Sequence, residues 1–344
     1  MLDGRPLGPD HPPYVIAELS ANHLGDFKRA CAIVRAAAAS GAAALKLQSY
    51  TPDSITIDCD RPEFRVTRGP RAGATLYQVY SEGSTPWEWH APLFELGREL
   101  GLTVFSSPFD RRAVDALERL DAPLYKIASC ELVDLPLIRH VAQTGKPMIL
   151  STGMATVEEI GEALAAAREA GARDLVLLHC ISGYPTPVEE TNLLTIPDLA
   201  ERYGVPVGFS DHTEGVAVSL AAVALGACVL ERHLTLRRAD GGLDAGFSLE
   251  PEELARLVQE AEFVWRARGQ VCYGPLPSEA HAYRNRRSLY VVEDIPAGGV
   301  LNKENVRSIR PGAGLAPRHL PEVLGRRVKQ AVARGTPLSW ELLE

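Results

Sequence analysis

The chain lacks several features of secreted and membrane proteins. Its six cysteines stand at positions 31, 59, 130, 180, 228 and 272 and form no close CxxC pair, so we expect neither a disulfide framework nor a structural zinc site. No run of about 18 apolar residues offers a membrane span. The opening MLDGRPLGPDHPPY has no charged segment followed by an apolar one, as a secretory signal would. We therefore expect a cytoplasmic protein with no membrane partner.

An excess of positive charge is also absent. The 36 Lys and Arg residues face 44 Asp and Glu residues, which gives a formal net charge of -8. Such a chain is a poor binder of nucleic acid. What the chain does have is 344 residues with 46% hydrophobic content, enough for one large domain, or for a large and a small one.

Short apolar runs rich in β-formers alternate with longer segments of helical period. The predicted strands cover 14–19, 44–49, 102–107, 124–129, 148–152, 175–180, 205–210 and 228–234. The predicted helices cover 26–39, 88–100, 110–119, 134–144, 156–170, 189–203, 215–225 and 251–268. Eight βα units predict an α/β fold of the (β/α)8 TIM-barrel class. The alternative is a doubly wound open sheet, but no GxGxxG motif supports it.

Two segments interrupt this alternation and suggest domain boundaries. Residues 50–86 form a long insertion after the second strand, of the kind that is a functional lid or disordered. Residues 270–286 read as a linker, and after them short strands with Gly/Pro turns replace the βα pattern. We predict a barrel domain over 1–269 and a small β-rich domain over 287–344, too small to bury much surface alone.

Polar side chains stand at the end of almost every predicted strand. In a (β/α)8 barrel these ends form the active site. In chain order they are Glu18, Ser20, Asn22 and His23; Lys46 and Gln48; Ser106 and Ser107; Lys126, Ser129 and Glu131; Ser151 and Thr152; Ser182 and Tyr184; Ser210, Asp211 and His212; Glu231 and His233. Taken singly, a serine here is usually a helix cap, a histidine is often a satisfied core residue, and a lysine can lie at a solvated edge. Their accumulation predicts a site.

The two lysines indicate an anionic ligand. Lys46 and Lys126 lie in the otherwise apolar runs ALKLQ and YKIAS, and an unpaired buried ammonium is costly, so each should face an anion. Together with several hydroxyl groups and helix N-termini they suit a small molecule that carries phosphate and carboxylate.

The two histidines on the last predicted strands allow two interpretations. His212 and His233, with the carboxylates of Asp211, Glu231 and Glu18 nearby in the pattern, could hold a divalent metal with open positions for substrate. Alternatively, one histidine is a general base paired with a carboxylate.

A series of motifs then resembles the sialic acid synthase family, the phosphoenolpyruvate-dependent nonulosonic acid synthases. In order they are AELSANH, KLQSY, SSPFD, YKIASCEL, LSTGMAT, SGYPTP, GFSDHT and ERHLTL. NVRSIRPGAGLAP in the tail resembles the family's C-terminal SAF (antifreeze-like) domain. The resemblance implies a TIM barrel followed by a SAF domain, a domain-swapped homodimer, phosphoenolpyruvate and an amino sugar as substrates, and a divalent metal, foremost Mn²⁺, with Mg²⁺ or Co²⁺ as alternatives.

The resemblance also implies roles for individual residues. It makes His212 and His233 the metal ligands, and Glu131, Glu18 and Lys126 catalytic. It assigns substrate binding to Lys46, Gln48, Ser107, Ser129, Ser151, Ser182, Tyr184, Ser210, Asp244 and Arg310. Arg310 would come from the SAF domain of the second chain of the dimer.

Departures from the usual family pattern point to one branch. CISGYP replaces CTNIYP, so Ser182 stands for an amide; SSPF replaces STPF at Ser107; and Ala245 replaces a histidine. GGLDAGFSLEP and STPWEWHAPLFE are similar to segments of pseudaminic acid synthases. That branch joins phosphoenolpyruvate to 2,4-diacetamido-2,4,6-trideoxy-L-altrose. The alternatives are an N-acetylneuraminate or legionaminate synthase and, more distantly, a non-catalytic sugar- or ice-binding protein.

Overall fold

The computed structural model describes residues 1–67 and 71–344, which form two compact units, Met1–Gly269 and Gln270–Glu344. In the first unit eight parallel strands close into a barrel in chain order, which confirms the predicted (β/α)8 fold over the open sheet. The strands are β1 (Tyr14–Glu18), β2 (Ala44–Ser49), β3 (Thr103–Pro108), β4 (Tyr125–Ile127), β5 (Met148–Ser151), β6 (Leu175–Cys180), β7 (Val207–Asp211) and β8 (Val229–His233).

Helices connect the strands on the outside of the barrel. They are α1 (Phe27–Ala39), α2 (Pro52–Ile55), α3 (Leu76–Gly83), α4 (Trp87–Glu99), α5 (Arg111–Arg119), α6 (Leu135–Ala142), α7 (Val157–Glu169), α8 (Thr195–Tyr203), α9 (Ala217–Ala224) and α10 (Pro251–Arg268). Several of these helices begin with a side-chain N-cap, at the positions where the sequence predicted a helix start. Asp26 accepts from the Lys28 N–H, and Thr156 and Glu159 form a capping box.

One predicted helix, over 189–203, is wrong at its beginning. A 3-10 turn covers Val188–Glu190, and α8 begins only at Thr195. Asn192 between them has φ of 42°, a left-handed conformation that ends a right-handed helix. Residues 68–70 of the predicted insertion lie outside the described part. The rest of the insertion is not structureless, because it contains α2, α3 and a 3-10 turn at Pro62–Phe64.

The barrel interior is layered along the strands. Strand alternation turns every second residue inward, and the inner layer towards the strand starts is apolar, with Leu2 of the N-terminal segment fully buried against it. This layer includes Ile16, Ala44, Phe105, Ile149 and Val229. Two residues further along the same strands stand Glu18, Lys46, Ser107, Ser151 and Glu231. The polar groups therefore collect at the carboxyl ends of the strands, above an apolar floor.

The second unit has a hydrophobic core of its own. Its strands β9 (Ser288–Val291) and β10 (Val306–Ile309) pair antiparallel, and its short helices are α11 (Ala280–Arg284) and α12 (Leu320–Val323). Leu289, Val291, Leu301, Val328 and Leu338 pack in its core. Isolated bridges such as Ile295↔Val332 extend the pairing. Within the described part of the chain, none of the helices is long and apolar enough to cross a membrane.

Candidate active site

Four buried charges face one another at the polar end of the barrel. Lys46 Nζ lies 2.6 Å from Glu18 Oε2 and 3.6 Å from Glu231 Oε1. Lys126 Nζ lies 3.3 Å from the same Glu231 oxygen, which also accepts a hydrogen bond of 3.0 Å from the Ser210 hydroxyl. Two cations and two carboxylates thus balance one another in a region nearly closed to water, as buried charges must.

The two carboxylates differ in their proton affinity. Burial raises the pKa of Glu18 to about 6, although Lys46 opposes the rise. Burial acts on Glu231 too, but Lys126 and Lys46 outweigh it and lower its pKa to about 2. Burial lowers the pKa of Lys126. Glu231 is therefore the permanent counter-charge of both lysines, whereas Glu18 is the carboxyl that takes up a proton first.

Beside these charges lie hydroxyl groups without partners. Within the described residues, the buried side-chain oxygens of Ser107, Ser151 and Ser182, at the ends of β3, β5 and β6, have no hydrogen-bond partner. Buried polar groups are nearly always paired, so these three hydroxyls, at the same end of the barrel as the two lysines, are candidate donors to a ligand. The Ser129 hydroxyl, next to them, accepts from the Gly153 N–H at 3.2 Å.

Gly153 is a site residue that the sequence analysis missed. A Cβ at this position would lie 2.4 Å from the Ser182 hydroxyl and 2.7 Å from that of Ser129. A larger residue at position 153 would therefore push the hydroxyl groups of Ser129 and Ser182 out of their present positions. The glycine of LSTGM was the available signal, but a glycine after a strand is ordinarily read as a turn.

Glu131 lies on the 3-10 turn Ser129–Val133 that follows β4. Burial raises its pKa to about 7, with Lys126 opposing the rise. Its Oε2 has no partner within the described residues. A carboxyl group with these properties can accept or release a proton near neutral pH.

The loop that follows β8 is fastened to the end of β1. Asp244 accepts hydrogen bonds from the Ser20 hydroxyl and, at 3.3 Å, from the Ala21 N–H. Gln48 Nε2 donates to Glu18 Oε1 at 2.9 Å and to Ser20 Oγ at 3.1 Å. Glu18, Gln48 and Asp244 are therefore parts of one network at the rim of the barrel.

Two further polar side chains of this region, Asn22 and His23, are only partly engaged in local contacts. Asn22 Nδ2 donates to the Leu234 carbonyl and to Ser248 Oγ, both at 2.9 Å. His23 is fully buried, accepts from the Gly25 N–H and meets the edge of Trp89. Asn22 Oδ1 and His23 Nε2, by contrast, are buried and have no hydrogen-bond partner within the described residues.

His212 and His233 lie together, with ring centroids 5.3 Å apart. Burial lowers the pKa of each imidazole to about 3, so both are neutral at physiological pH. His212 Nδ1 lies 3.2 Å from the Ile181 carbonyl and donates to it, which leaves the Nε2 lone pair free. Phe247, which the sequence analysis missed, packs against both imidazoles, with its ring centroid 5.7 Å from that of His212 and 4.9 Å from that of His233. The Tyr184 ring centroid lies 4.5 Å from that of His212.

This pair fits a divalent transition metal in its donor chemistry. Neutral imidazoles are ligands for such ions, and His233 Nδ1, buried and without a hydrogen-bond partner in the described residues, lies 3.9 Å from Asp244 Oδ2. Residues 1–67 and 71–344 contain no group of three or more His, Cys, Asp or Glu side chains arranged to hold a metal. The remaining positions around an ion would then belong to water or substrate.

Some residues named from the sequence do not face this site. Ser106 pairs with Ser49 at 2.6 Å, on the outer side of the strands. Asp211 was expected near the histidines, but its two oxygens are taken by the Thr213 N–H, Ser219 and Arg232. Strand alternation explains both cases, because each stands one residue from an inward-facing neighbour. Arg310 belongs to the second unit, where it is exposed after β10.

Comparison with protein families gives two matches. Residues 33–273 match the NeuB family, and residues 286–344 match the SAF domain. Together they cover most of the chain and correspond to the two parts of the sequence that the motifs distinguished.

Individual relatives span nearly the whole chain. A pseudaminic acid synthase of Helicobacter pylori is 40% identical over 334 residues, which are 97% of this chain and 98% of the relative. An N,N'-diacetyllegionaminic acid synthase of Legionella pneumophila is 34% identical, over 99% and 97%. The crystal structure of an N-acetylneuraminic acid (sialic acid) synthetase from Leptospira borgpetersenii, in complex with citrate, superposes with a TM-score of 0.73 and 30% identity, over 82% of this chain and 94% of that one.

The buried charges predict a large and pH-dependent effect of Lys46→Met. At pH 8 we expect a loss of about 3–5 kcal/mol of folding free energy, because Glu18 loses its close cation and Glu231 one of two. The pKa of Glu18, already about 6 in the wild type, should rise further above its unfolded value. The loss of folding free energy then comes from ionised Glu18. It is fully present at pH values above the pKa of Glu18 in the folded variant, and it decreases as the pH falls below that pKa.

Thermal unfolding followed by circular dichroism at pH 8 and pH 5.5 checks this prediction. The matched control is Lys28→Met at the exposed start of α1, which should change stability by less than about 0.5 kcal/mol at either pH. If Lys46→Met lowered the folding free energy equally at both pH values, the loss would not come from ionised Glu18.

Proposed function

The chain belongs to the NeuB family, and from this membership we propose that it is a pseudaminic acid synthase. The proposed reaction joins phosphoenolpyruvate to 2,4-diacetamido-2,4,6-trideoxy-L-altrose and releases pseudaminic acid and phosphate by C–O bond cleavage. The chain is an enzyme of the synthase type. The observation that carries the phosphoenolpyruvate assignment is the pair of buried lysines beside three unpaired buried hydroxyls.

Phosphoenolpyruvate suits this end of the barrel by charge and by hydrogen bonding. Its phosphate and carboxylate would take Lys46 and Lys126 as counter-ions, since the two lysines share Glu231 and Lys126 has no closer carboxylate in the described residues. The hydroxyl donors proposed to surround it are Ser107, Ser129, Ser151, Ser182 and Ser210. Preorganised donors of this kind hold the charge before the chemistry begins.

The chemistry needs a proton carrier near neutral pH, and we assign it to Glu131. C3 of phosphoenolpyruvate attacks the aldehyde carbon of the open-chain sugar, whose oxygen takes up a proton and becomes a hydroxyl group, and water adds to the cationic C2. Glu131, with a pKa of about 7, takes one proton of that water, and the tetrahedral C2 expels phosphate together with the remaining hydroxyl proton and becomes a ketone. Glu18 and Lys126, in the same charge cluster, act beside it as proton-holding and charge-stabilising groups.

His212 and His233 are the proposed ligands of a divalent metal, foremost Mn²⁺, with Mg²⁺ or Co²⁺ as alternatives. When bound, such an ion supplies Lewis acidity towards the sugar's aldehyde oxygen. The protein's own part is to keep both imidazoles neutral through burial and to hold His212 Nδ1 on the Ile181 carbonyl.

The acceptor lies, in this proposal, between the histidines and the rim network. Gln48, Tyr184 and Asp244 contribute polar contacts, while Phe247 and the buried Ala245 make the wall apolar, which suits a 6-deoxy sugar. The 40% identity to a pseudaminic acid synthase supports this branch. N-acetylneuraminate and legionaminate synthesis remain the alternative, with a legionaminic relative at 34%.

We further propose a cytoplasmic, domain-swapped homodimer in which the SAF domain of each chain serves the barrel of the other. The proposed domains are the barrel over 1–269, a linker over 270–286 and the SAF domain over 287–344. Residues 270–344 carry eleven Lys and Arg against seven Asp and Glu, whereas the whole chain is at -8. A cationic SAF unit suits an acidic barrel, and Arg310 would bring its charge to the bound substrates.

The metal assignment predicts that His212→Ala and His233→Ala each abolish turnover without unfolding the protein. Both side chains lie at strand ends, above the packed apolar layer. Treatment with EDTA should silence the wild type, and Mn²⁺ or Co²⁺ should restore it. Phosphate release and circular dichroism measure the two effects, and full activity after exhaustive chelation would refute the metal role.

The acceptor assignment predicts at least about 100-fold higher kcat/KM for the 6-deoxy-altrose derivative than for N-acetylmannosamine. A panel of amino sugars, including the acceptor of legionaminate synthases, would be assayed for phosphate release from phosphoenolpyruvate. Preference for N-acetylmannosamine would reject the branch and leave the family intact. Absence of phosphate release with every sugar would reject the proposed condensation and favour the distant alternative, a non-catalytic sugar- or ice-binding protein.

The dimer predicts complementation between inactive chains. Arg310→Ala and His212→Ala should each be nearly inactive, but co-expression should restore roughly a quarter of wild-type activity, because one site of each mixed dimer combines an intact barrel with an intact tail. The control pair His212→Ala with His233→Ala, both in the barrel, should restore none. Absence of recovery in mixed dimers proved by mass spectrometry would assign Arg310 to its own chain's barrel or to no site.

A further inference from the structure

A fully buried arginine lies directly behind the two histidines. Arg232 stands between Glu231 and His233 on β8 and is 0% exposed. Because side chains alternate along a strand, its neighbours face the barrel interior while Arg232 lies on the outer side, where it meets Ser219 of α9. None of the roles proposed above uses it.

Arg232 holds the backbone beside His212. Its Nη1 donates to Asp211 Oδ2, and its Nη2 donates to the Thr213 carbonyl at 2.7 Å. Asp211 Oδ1 in turn accepts from the Thr213 N–H at 2.8 Å, and the Ser219 hydroxyl donates to Asp211 Oδ2. The residues on both sides of His212 are thus tied to one guanidinium on β8.

The hydrogen bonds of Arg232 hold the chain just past the point where the pairing of β7 with β8 ends. The pairing of β7 with β8 runs only to Asp211↔Arg232, so His212 lies just beyond it, with its carbonyl bonded to the Thr186 N–H at 3.0 Å. The rigid, planar fork of an arginine can hold two acceptors at once, which lysine cannot. The backbone on either side of His212 is therefore held by a side chain whose hydrogen bonds, within the described residues, go to Asp211, Ser219 and Thr213 and to neither imidazole ring.

Stability alone does not call for charges at this place. Replacing a buried ion pair by apolar groups is often neutral or stabilising, and Arg232 Nε has no partner within the described residues. At outward positions beside site residues, β1, β2, β4 and β5 carry the apolar side chains of Ala17, Leu47, Ile127 and Leu150, and β3 carries the uncharged Ser106. The ion pair of Arg232 with Asp211 joins β7 to β8, the two strands whose ends carry His212 and His233.

We propose that Arg232, through Asp211 and Thr213, is a positioning residue that sets the geometry of His212 relative to His233 for metal binding. The proposal rests on the proposed metal site. It concerns a residue that supports the ligands from behind and takes no part in the chemistry itself. Outer contacts of this kind commonly change metal affinity about 10- to 100-fold.

The test measures Mn²⁺ binding directly on the full-length protein, by the loss of the free-ion electron paramagnetic resonance signal on titration. Arg232→Met should weaken Mn²⁺ binding about 10- to 100-fold, and Arg232→Lys, which keeps the charge but not the fork, should weaken it as well. Because Arg232→Met leaves Asp211 unpaired and is at risk of unfolding, it is compared with the double variant Asp211→Asn, Arg232→Met. The double variant should regain thermal stability and still bind Mn²⁺ weakly.

Two controls separate the possible failures. Val114→Ala, at a buried position of α5, lowers stability away from the histidines and should leave Mn²⁺ affinity unchanged. His212→Ala should abolish the binding. If His212→Ala binds Mn²⁺ like the wild type, the metal site of the proposed function is wrong. If His212→Ala fails to bind while the Arg232 variants bind normally, or if the double variant regains affinity together with stability, the positioning role alone is refuted.

Discussion

The mutual neutralisation of two lysines and two glutamates at one end of the barrel is the condition on which the rest of the site depends. Lys46 and Lys126 are buried and share the Glu231 carboxylate, so neither can be removed without leaving charge in a region poor in water. The same arrangement holds two ammonium groups at the end of the barrel where the anionic substrate is proposed to bind. Glu18, with its raised pKa, is the member of the cluster whose charge is easiest to change.

The alternation of the barrel strands separates chemistry from support. Inward residues such as Lys46, Ser151 and His233 line the site, and the residues between them pack against the helices. In most strands this outer layer is hydrophobic. Behind the histidines it is an ion pair, Arg232 with Asp211, so the same period of two that builds the site also supplies the means to hold it.

In the proposed site, the barrel strands bind phosphoenolpyruvate, and the loops at the strand ends bind the acceptor sugar, which differs between relatives. The lysines lie within β2 and β4, where the closed barrel fixes them, whereas Asp244 and Phe247 lie on the segment after β8, held through Ser20 to the end of β1. Relatives that carry the names of pseudaminic and legionaminic acid synthases share this chain almost end to end. Loops on a rigid scaffold can change an acceptor without disturbing the barrel.

The sequence by itself determined the barrel, the family and the positions at which polar groups end the strands. Period-two and period-3.6 patterns are local, so most strands were predicted within two residues, and motifs such as SDHT and ERH needed no contacts to be recognised. Only the tertiary structure decided which groups meet. Lys126 and Glu231 are 105 positions apart, and their contact depends on the closure of the barrel. Closure also brings Arg232 to Asp211, places Gly153 against the hydroxyl groups of Ser129 and Ser182, and packs Phe247 against both histidine rings. These facts follow from register and packing between distant segments, which no local pattern encodes.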